Sequence, residues 1–283
     1  MTWKTLIDPA TLFTLIGSDG LRLVDARFAL ADPASAREGF LQSHLPGAVH
    51  ADLDQDLSDL SKAGEGRHPL PDEKTFTRKL AQWGVQPHHQ VVVYDAGDGS
   101  MAAARFWWML KLLGHERVAV LDGGLAAWRV QGLPESTAGD APLPVAAYPG
   151  RFDRSAIVDA AEVLSRLDES GWLFDARAAE RFRGEVEPLD TRAGHVPGAI
   201  NRPLGLNLRE GRFKPAYELR QELEPLLGGR NASEVVMMCG SGVTACHLLL
   251  AFEHAGLHGA RVYAASWSGW ISDASRPVAT GQD

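Results

Sequence analysis

The strongest constraint on the fold of this chain is an internal duplication. Four segments of the first half recur in the second half in the same order and at nearly one offset: residues 23–27 and 173–177, 44–49 and 195–200, 91–95 and 235–239, and 118–128 and 261–270. The first pair reads LVDAR and LFDAR, and the second pair shares the pattern His-x-Pro-Gly-Ala. These matches indicate two copies of one domain, and a length of 283 residues suits two domains.

Each copy is predicted to alternate short buried strands with helices. The helices are predicted over residues 8–16, 72–83 and 102–113, and in the second copy over residues 159–167, 217–226 and 244–255. This alternation predicts parallel strands joined by right-handed crossovers. The predicted fold class is therefore α/β, with a mainly parallel sheet flanked by helices in each of two tandem domains.

A segment between the two copies is predicted to be a linker. Residues 132–150 are rich in Pro, Ala and Gly and have no hydrophobic period. We therefore expect one domain over residues 1–140 and the other over residues 141–283.

The composition excludes several classes of function. A net charge of −8 disfavours nucleic acids and anionic membranes as partners. The chain has no apolar run long enough to span a bilayer, and its N-terminus shows no secretory signal. Its two cysteines, Cys239 and Cys246, lack the spacing of a zinc site, so neither a disulfide framework nor a metal centre is expected. These features favour a cytoplasmic protein.

Residues 235–252 form the candidate functional segment, which is predicted to be a strand, a loop of sequence CGSGVTA and a helix. Cys239 follows the strand, at the edge where ligands bind in parallel sheets, and faces the first amides of the helix, which favour a thiolate. Gly240 and Gly242 are expected to allow positive φ and a close approach of backbone N–H groups to an anion. Cys239 is therefore the candidate nucleophile, whereas Cys246 is expected only to pack.

The residues of this loop limit the kinds of reaction that Cys239 could catalyse. A phosphatase of the Cys-x5-Arg type needs an arginine where this chain has Ala245, so phosphate chemistry is disfavoured. The loop suits a thiolate, or a persulfide formed on it. At the matching position of the first copy lies Asp95, and a carboxylate cannot carry such a sulfur. The first domain is expected to be inactive, with acid–base chemistry by Asp95 as the alternative.

The loop CGSGVTA resembles the active-site loop of the rhodanese superfamily, and within it the mercaptopyruvate sulfurtransferases. The resemblance covers almost the whole chain as two tandem rhodanese-like domains. It implies that a Cys239 persulfide carries sulfur from 3-mercaptopyruvate to cyanide or to a thiol, such as that of a thioredoxin-like protein, with release of pyruvate and without a cofactor. The residues expected to stabilise the anionic sulfur through their amides are Gly240, Gly242, Val243, Thr244 and Ala245.

The resemblance also implies cations that bind the substrate. Residues 181–184 (RFRG) match a family stretch whose arginine contacts substrate, which assigns that role to Arg181. Mercaptopyruvate members usually carry a second arginine after a Glu-Pro pair, where this chain has Leu189. The nearest arginine downstream, Arg192, is the candidate for the second cation, and a surface ion pair is its alternative role. Arg27 and Arg177, after the repeated Asp-Ala, are expected to brace the fold.

Some mercaptopyruvate enzymes use a serine, a histidine and an aspartate beside the cysteine. By position the candidates are Ser241, His44 and Asp32. Ser241 has the alternative role of a hydroxyl that closes the loop. His44 has the alternative role of a turn histidine, because His195 occupies the same position in the second copy.

Two other functions remain open from the sequence. Thiosulfate could be the sulfur donor in place of 3-mercaptopyruvate. The tandem could also be a non-catalytic persulfide carrier that binds a partner protein.

Overall fold

The computed structural model describes residues 2–97, 102–137 and 142–281. The chain forms two compact units. Unit 1 comprises the described residues of 1–59, 71–153 and 210–213, and unit 2 comprises those of 60–70, 154–209 and 214–283. The predicted boundary between residues 140 and 141 lies outside the described residues, and the long segments of the two units meet in sequence at Asp153 and Arg154. Each unit also includes one short segment from the other half of the chain.

The first half of the chain contains five strands and five helices within the described residues. In chain order these are β1 (Leu6–Ile7), α1 (Pro9–Phe13), β2 (Leu21–Asp25), α2 (Pro33–Gln42), β3 (Ala48–His50), α3 (Glu73–Gln82), β4 (Gln90–Tyr94), α4 (Ala102–Leu112), β5 (Val118–Leu121) and α5 (Gly124–Val130).

The second half repeats this order and adds two short strands. Its elements are β6 (Ile157–Val158), α6 (Ala160–Ser165), β7 (Leu173–Asp175), α7 (Ala179–Phe182), β8 (Ile200–Asn201), β9 (Leu208–Arg209), β10 (Arg212–Phe213), α8 (Ala216–Leu223), β11 (Val236–Met238), α9 (Thr244–His254), β12 (Arg261–Tyr263) and α10 (Ser266–Trp270). Single turns of 3-10 helix occupy Arg154–Ala156, Leu204–Asn207, Glu224–Leu227 and Ala232–Glu234.

Each unit is built on one five-stranded sheet. The strand orders are β1-β5-β4-β2-β3 in unit 1 and β6-β12-β11-β7-β8 in unit 2, so equivalent strands hold equivalent places. Every pairing within the two sheets is parallel. The prediction of two copies of an α/β domain with a mainly parallel sheet is confirmed.

The helices that follow the central strands confirm the predicted periodicity. Helices α4 and α9 were expected over residues 102–113 and 244–255 and are buried over most of their length. The opening helices α1 and α6 begin where predicted, since Asp8 and Asp159 accept hydrogen bonds from their first turns. They end earlier than predicted. The two-residue edge strands β1 and β6 were not predicted, because two residues are too few to show a period.

The repeated Asp-Ala-Arg segments brace the carboxyl ends of β2 and β7. The Arg27 guanidinium binds both carboxylate oxygens of Asp25, with Nε 2.9 Å from each. Arg177 binds Asp175 in the same way, with Nε 2.9 Å and Nη2 2.7 Å from Oδ2. Both pairs are buried, so their bidentate geometry offsets the cost of taking the charges out of water.

Within the described residues, helices long and apolar enough to cross a membrane do not occur.

Candidate active site

Cys239 is the first residue after β11, at the carboxyl edge of the sheet of unit 2. It is almost fully buried, with 1% of its surface exposed. The N–H of Gly242 donates to its Sγ at 3.2 Å, and α9 begins two residues later at Thr244. An N–H donor and the positive end of a helix dipole beside the sulfur stabilise a thiolate or a persulfide anion.

The two loop glycines have different roles. Gly242 has a φ of +79°, and a Cβ atom on it would lie 2.0 Å from the carbonyl oxygen of Ala264. Gly240 does not have the positive φ that we expected. A Cβ atom on Gly240 would instead lie 3.0 Å from Nη2 of Arg67 and 3.5 Å from Nη1 of Arg181. Gly242 therefore permits the backbone turn, while Gly240 leaves space for two guanidinium groups.

Segment 266–268 holds the backbone of Cys239 in place. The Cys239 N–H donates to Oγ of Ser266 at 3.0 Å, and its carbonyl accepts from the N–H of Trp267 at 3.0 Å. Ser266 is fully buried and has a φ of +53°, a left-handed conformation that is unusual for serine. The matching residue of unit 1, Gly124, has a φ of +54°. The second copy therefore accepts a strained serine where the first copy has glycine, and gains an acceptor for the Cys239 amide.

Ser241 contacts a histidine that belongs to segment 60–70 of unit 2. Its Oγ lies 2.9 Å from Nδ1 of His68, and both side chains are buried. A histidine in contact with a hydroxyl can take up its proton and return it. This pair, two residues from the thiol, is suited to proton transfer beside the reacting sulfur.

Within unit 2 the histidine that contacts Ser241 is His68, whereas the sequence pointed to His44. His44 stacks on Phe40, with ring centroids 4.1 Å apart, and its Nδ1 lies 2.6 Å from the Phe40 carbonyl oxygen. His195 repeats this arrangement on Phe182, at 3.8 Å and 2.8 Å. These duplicated contacts favour the alternative role of His44, that of a turn residue. Its assignment beside Ser241 stays a prediction.

The predicted aspartate of the serine–histidine–aspartate set, Asp32, lies on the surface of unit 1. It is exposed and precedes α2, whose first turn it does not cap with its side chain. The predicted trio of Ser241, His44 and Asp32 stays a prediction, and within unit 2 the structure gives Ser241 a different partner, His68.

Arg181 lies at the end of α7 and points towards the loop. Its Nη2 binds Oε1 of Glu187 at 2.7 Å and Oδ2 of Asp190 at 3.2 Å. Burial opposes ionisation of Glu187, but hydrogen bonds from Arg181 and from the amides of Leu189 and Asp190 outweigh it and lower the pKa of Glu187. Glu187 therefore stays ionised and fixes one edge of the guanidinium.

Arg67 is a second guanidinium at the loop, and it was not predicted. It forms a salt bridge with Asp190 through Nη1, and Nη2 faces Gly240. The predicted second cation, Arg192, is exposed and donates from Nη1 to the carbonyl oxygen of Arg276 at 3.2 Å. Of these two arginines, Arg67 is the one whose contacts place it beside the Cys239 loop.

The remaining loop residues lead into α9. Val243 and Ala245 are buried, and Thr244 is the first helical residue. The hydrogen bond from Gly242 contacts the Cys239 sulfur, and Cys246 donates from its own Sγ to the Gly242 carbonyl oxygen at 3.3 Å. The expected contribution of amides 243–245 to an anionic sulfur stays a prediction.

Arg67 and His68 were missed because they lie in the first half of the sequence, far from the loop that they contact. A signal for them was present. Glu65-Gly66-Arg67 recurs as Glu210-Gly211-Arg212 at the offset of the duplication. Segment 60–70 belongs to unit 2 and segment 210–213 belongs to unit 1. A recurrence in the middle of each copy could have marked these segments as part of the domain architecture.

The chain is similar to known proteins over its whole length. The rhodanese-like domain family matches residues 8–131 and 159–273. A probable 3-mercaptopyruvate sulfurtransferase of Pseudomonas aeruginosa is 46% identical over 99% of this chain and 100% of its own length. A putative thiosulfate sulfurtransferase of Mycobacterium tuberculosis, SseB, is 38% identical over 98% of each chain.

Solved structures give the same result. The crystal structure of SseA from Escherichia coli, described as a 3-mercaptopyruvate sulfotransferase, superposes with a TM-score of 0.80 at 32% identity. The superposition covers 95% of this chain and 100% of that one. With two matched domains, a thiol at the loop after the central strand of the second, and full-length relatives, this chain belongs to the rhodanese family.

Proposed function

We propose that this protein is a 3-mercaptopyruvate sulfurtransferase that carries sulfur on Cys239. The observation that carries the proposal is the loop after β11, where an amide donor contacts the Cys239 sulfur and two arginines approach Gly240. The amide donor stabilises a thiolate, and the two arginines can bind the carboxylate of an α-keto acid. The full-length relative that is named for this activity supports the choice of donor.

The first step forms the persulfide. The Cys239 thiolate attacks the sulfur of 3-mercaptopyruvate, a sulfur–sulfur bond forms, and the carbon–sulfur bond breaks. The electron pair of that bond goes to the carbon and yields the enolate of pyruvate. The enolate takes up one proton and leaves as pyruvate, while Cys239 retains the sulfur. The Gly242 N–H stabilises the sulfur anion in both forms.

The Ser241–His68 pair supplies the proton. Ser241 donates from its hydroxyl to the enolate, and His68 replaces that proton through the 2.9 Å contact. Burial of both side chains keeps this transfer away from bulk water.

In the second step an acceptor thiolate or cyanide attacks the outer sulfur and releases the Cys239 thiolate. A small thiol or a reduced thioredoxin-like protein suits this role in a reducing cytoplasm, where the two free cysteines stay reduced. The domain with Asp95 in place of the thiol takes no part in sulfur transfer.

The decisive experiment compares two cysteine variants. Cys239→Ser removes the nucleophile, and we expect no pyruvate release from 3-mercaptopyruvate and no added sulfur mass on the protein. Cys246→Ser is the matched control, because a serine hydroxyl there can still donate to the Gly242 carbonyl oxygen, and it should keep near wild-type activity. Full activity of Cys239→Ser would refute the proposal.

Thiosulfate is the second candidate donor, since a relative at 38% identity is named for it. The ratio of kcat/KM for pyruvate release from 3-mercaptopyruvate to kcat/KM for thiocyanate formation from thiosulfate separates the two. A persulfide that forms but persists with every small acceptor, and leaves only on addition of one protein, would support the carrier function instead.

A further inference from the structure

We infer that Arg67 is the second guanidinium that binds the donor carboxylate, in the role that the sequence assigned to Arg192. The inference rests on the proposed function, because it names the group that recognises the carboxylate of 3-mercaptopyruvate. It follows from the anchoring of Arg67, from the acid that it shares with Arg181, and from its contrast with Arg192.

The backbone of Arg67 is fixed against the segment that also holds Cys239. The Arg67 N–H donates to Oγ of Ser268 at 3.0 Å. Gly66 has a φ of +93°, and a Cβ atom on it would lie 2.5 Å from the carbonyl oxygen of Ala265. Only glycine fits here, because any side chain would strain the backbone and clash with Ala265. Gly66 therefore lets the backbone that carries Arg67 approach segment 265–268. The next residue, His68, contacts Ser241, so both side chains are delivered by one anchored turn.

Asp190 orients Arg67 and Arg181 together. One carboxylate oxygen of Asp190 binds Nη1 of Arg67, and the other binds Nη2 of Arg181 at 3.2 Å. The Asp190 side chain is 4% exposed, and Glu187 binds the Arg181 guanidinium as a second acid. The two guanidinium groups are therefore fixed before any ligand arrives, and both have nitrogens within 3.6 Å of the position that a Gly240 Cβ atom would occupy.

Arg67 retains donors for a ligand. Its Nε is buried and has no hydrogen-bond partner in the described part of the chain. A guanidinium carries five N–H donors in a planar fork, so the salt bridge to Asp190 uses only one edge. The charges of Arg67 and Arg181 are balanced by Asp190 and Glu187. A carboxylate that binds the remaining donors adds charge-assisted hydrogen bonds without breaking the pairs.

Arg192 does not share these features. It is exposed, and it spends its Nη1 on the carbonyl oxygen of Arg276. In the chain, Asp190 follows Leu189 in the region where relatives were expected to carry their second arginine, and it is this acid that binds Arg67. In this chain the second guanidinium beside the loop therefore comes from segment 60–70, and the residue after Leu189 supplies its counter-ion.

The test compares two donors in the full-length protein. Mercaptoacetone keeps the thiol and the ketone of 3-mercaptopyruvate but has a methyl group in place of the carboxylate. We expect Arg67→Gln to lower kcat/KM for 3-mercaptopyruvate by about 10- to 100-fold, chiefly through KM, because charged hydrogen bonds are lost. Its kcat/KM for mercaptoacetone should change by less than about twofold. Arg67→Lys should give an intermediate loss.

Arg183→Gln is the matched control, since Arg183 lies in the same stretch as Arg181 but pairs with the exposed Glu185. Arg183→Gln should leave kcat/KM unchanged for both donors. Equal losses of Arg67→Gln with both donors would show a structural role and overturn the inference, and so would a selective loss in Arg192→Gln with none in Arg67→Gln. Failure of the wild-type protein to release pyruvate or form a persulfide would instead refute the proposed function.

Discussion

In the proposed mechanism the contact between Ser241 and His68 carries the proton, separately from the nucleophile Cys239. The two residues lie 173 positions apart in sequence, and the 2.9 Å contact joins them beside Cys239. Persulfide formation from 3-mercaptopyruvate leaves an enolate that needs a proton. Formation from thiosulfate leaves sulfite, a stable anion that needs none. The importance of the pair should therefore depend on the donor.

Ser241→Ala tests this dependence. We expect kcat with 3-mercaptopyruvate to fall by about 100- to 10,000-fold, the usual contribution of a general acid. The rate of thiocyanate formation from thiosulfate should stay within a few-fold of wild type. His68→Gln should show the same selectivity. If both variants lose activity equally with the two donors, Ser241 and His68 shape the loop and do not transfer protons.

The loop between β11 and α9 depends on the backbone conformation of its glycines. Gly242 combines positive φ with a close approach to Ala264, and its N–H is the donor to the Cys239 sulfur. Gly240 lacks positive φ and borders the guanidinium groups of Arg67 and Arg181, not backbone atoms. We therefore expect Gly242 to matter for the stability of the loop, and Gly240 to matter for the binding of substrate.

Alanine substitutions at these positions should have different effects. Gly242→Ala should lower the free energy of unfolding by about 2 kcal/mol or more, since it adds left-handed strain and a steric clash, and it should abolish sulfur transfer. Gly240→Ala should cost less than about 1 kcal/mol, because the added methyl group meets no backbone atom and needs only a small shift of the Arg67 guanidinium. That shift should raise KM for 3-mercaptopyruvate. Denaturant unfolding and steady-state kinetics measure both. Equal destabilisation by the two substitutions would contradict this view.

The molecule as a whole carries buried histidines that resist protonation, most of them in unit 1. Burial and the nearby Arg22 lower the pKa of His89 to about 4. Its Nδ1 accepts a hydrogen bond from the Gln86 amide at 3.0 Å, which requires the unprotonated nitrogen. Burial likewise lowers the pKa of His115, whose Nδ1 lies 2.7 Å from the hydroxyl of Tyr148.

Acidification should therefore destabilise the protein. The unfolded chain binds protons at these histidines near pH 6.5, while the folded chain does not, so their stabilising effect is complete above about pH 6.5 and declines as the pH falls towards 4. We expect the midpoint of thermal unfolding to fall steadily from pH 7 to pH 5. His89→Asn, which keeps an acceptor for Gln86, should flatten this dependence. A midpoint that is constant over this range would contradict the prediction.

Local sequence determined the architecture of this protein and its nucleophile. The repeated segments fixed the number of domains, and the apolar runs before Asp95 and Cys239 identified the central strands, because these signals need only neighbouring residues. The resemblance of residues 181–184 to a family stretch predicted a substrate contact for Arg181, and the structure places Arg181 beside Gly240. Helix ends and the two-residue edge strands could not be predicted from local sequence, since they depend on tertiary pairing.

Tertiary structure alone decided which side chains surround the thiol. His44 and Arg192 were reasonable candidates by position, but His44 is held by Phe40 in a contact that both copies repeat, and Arg192 faces solvent. Arg67 and His68 lie at the Cys239 loop because the folded chain inserts segment 60–70 into unit 2. Contacts between residues so far apart in sequence have no local period to reveal them, so only the packing of the folded chain could select them.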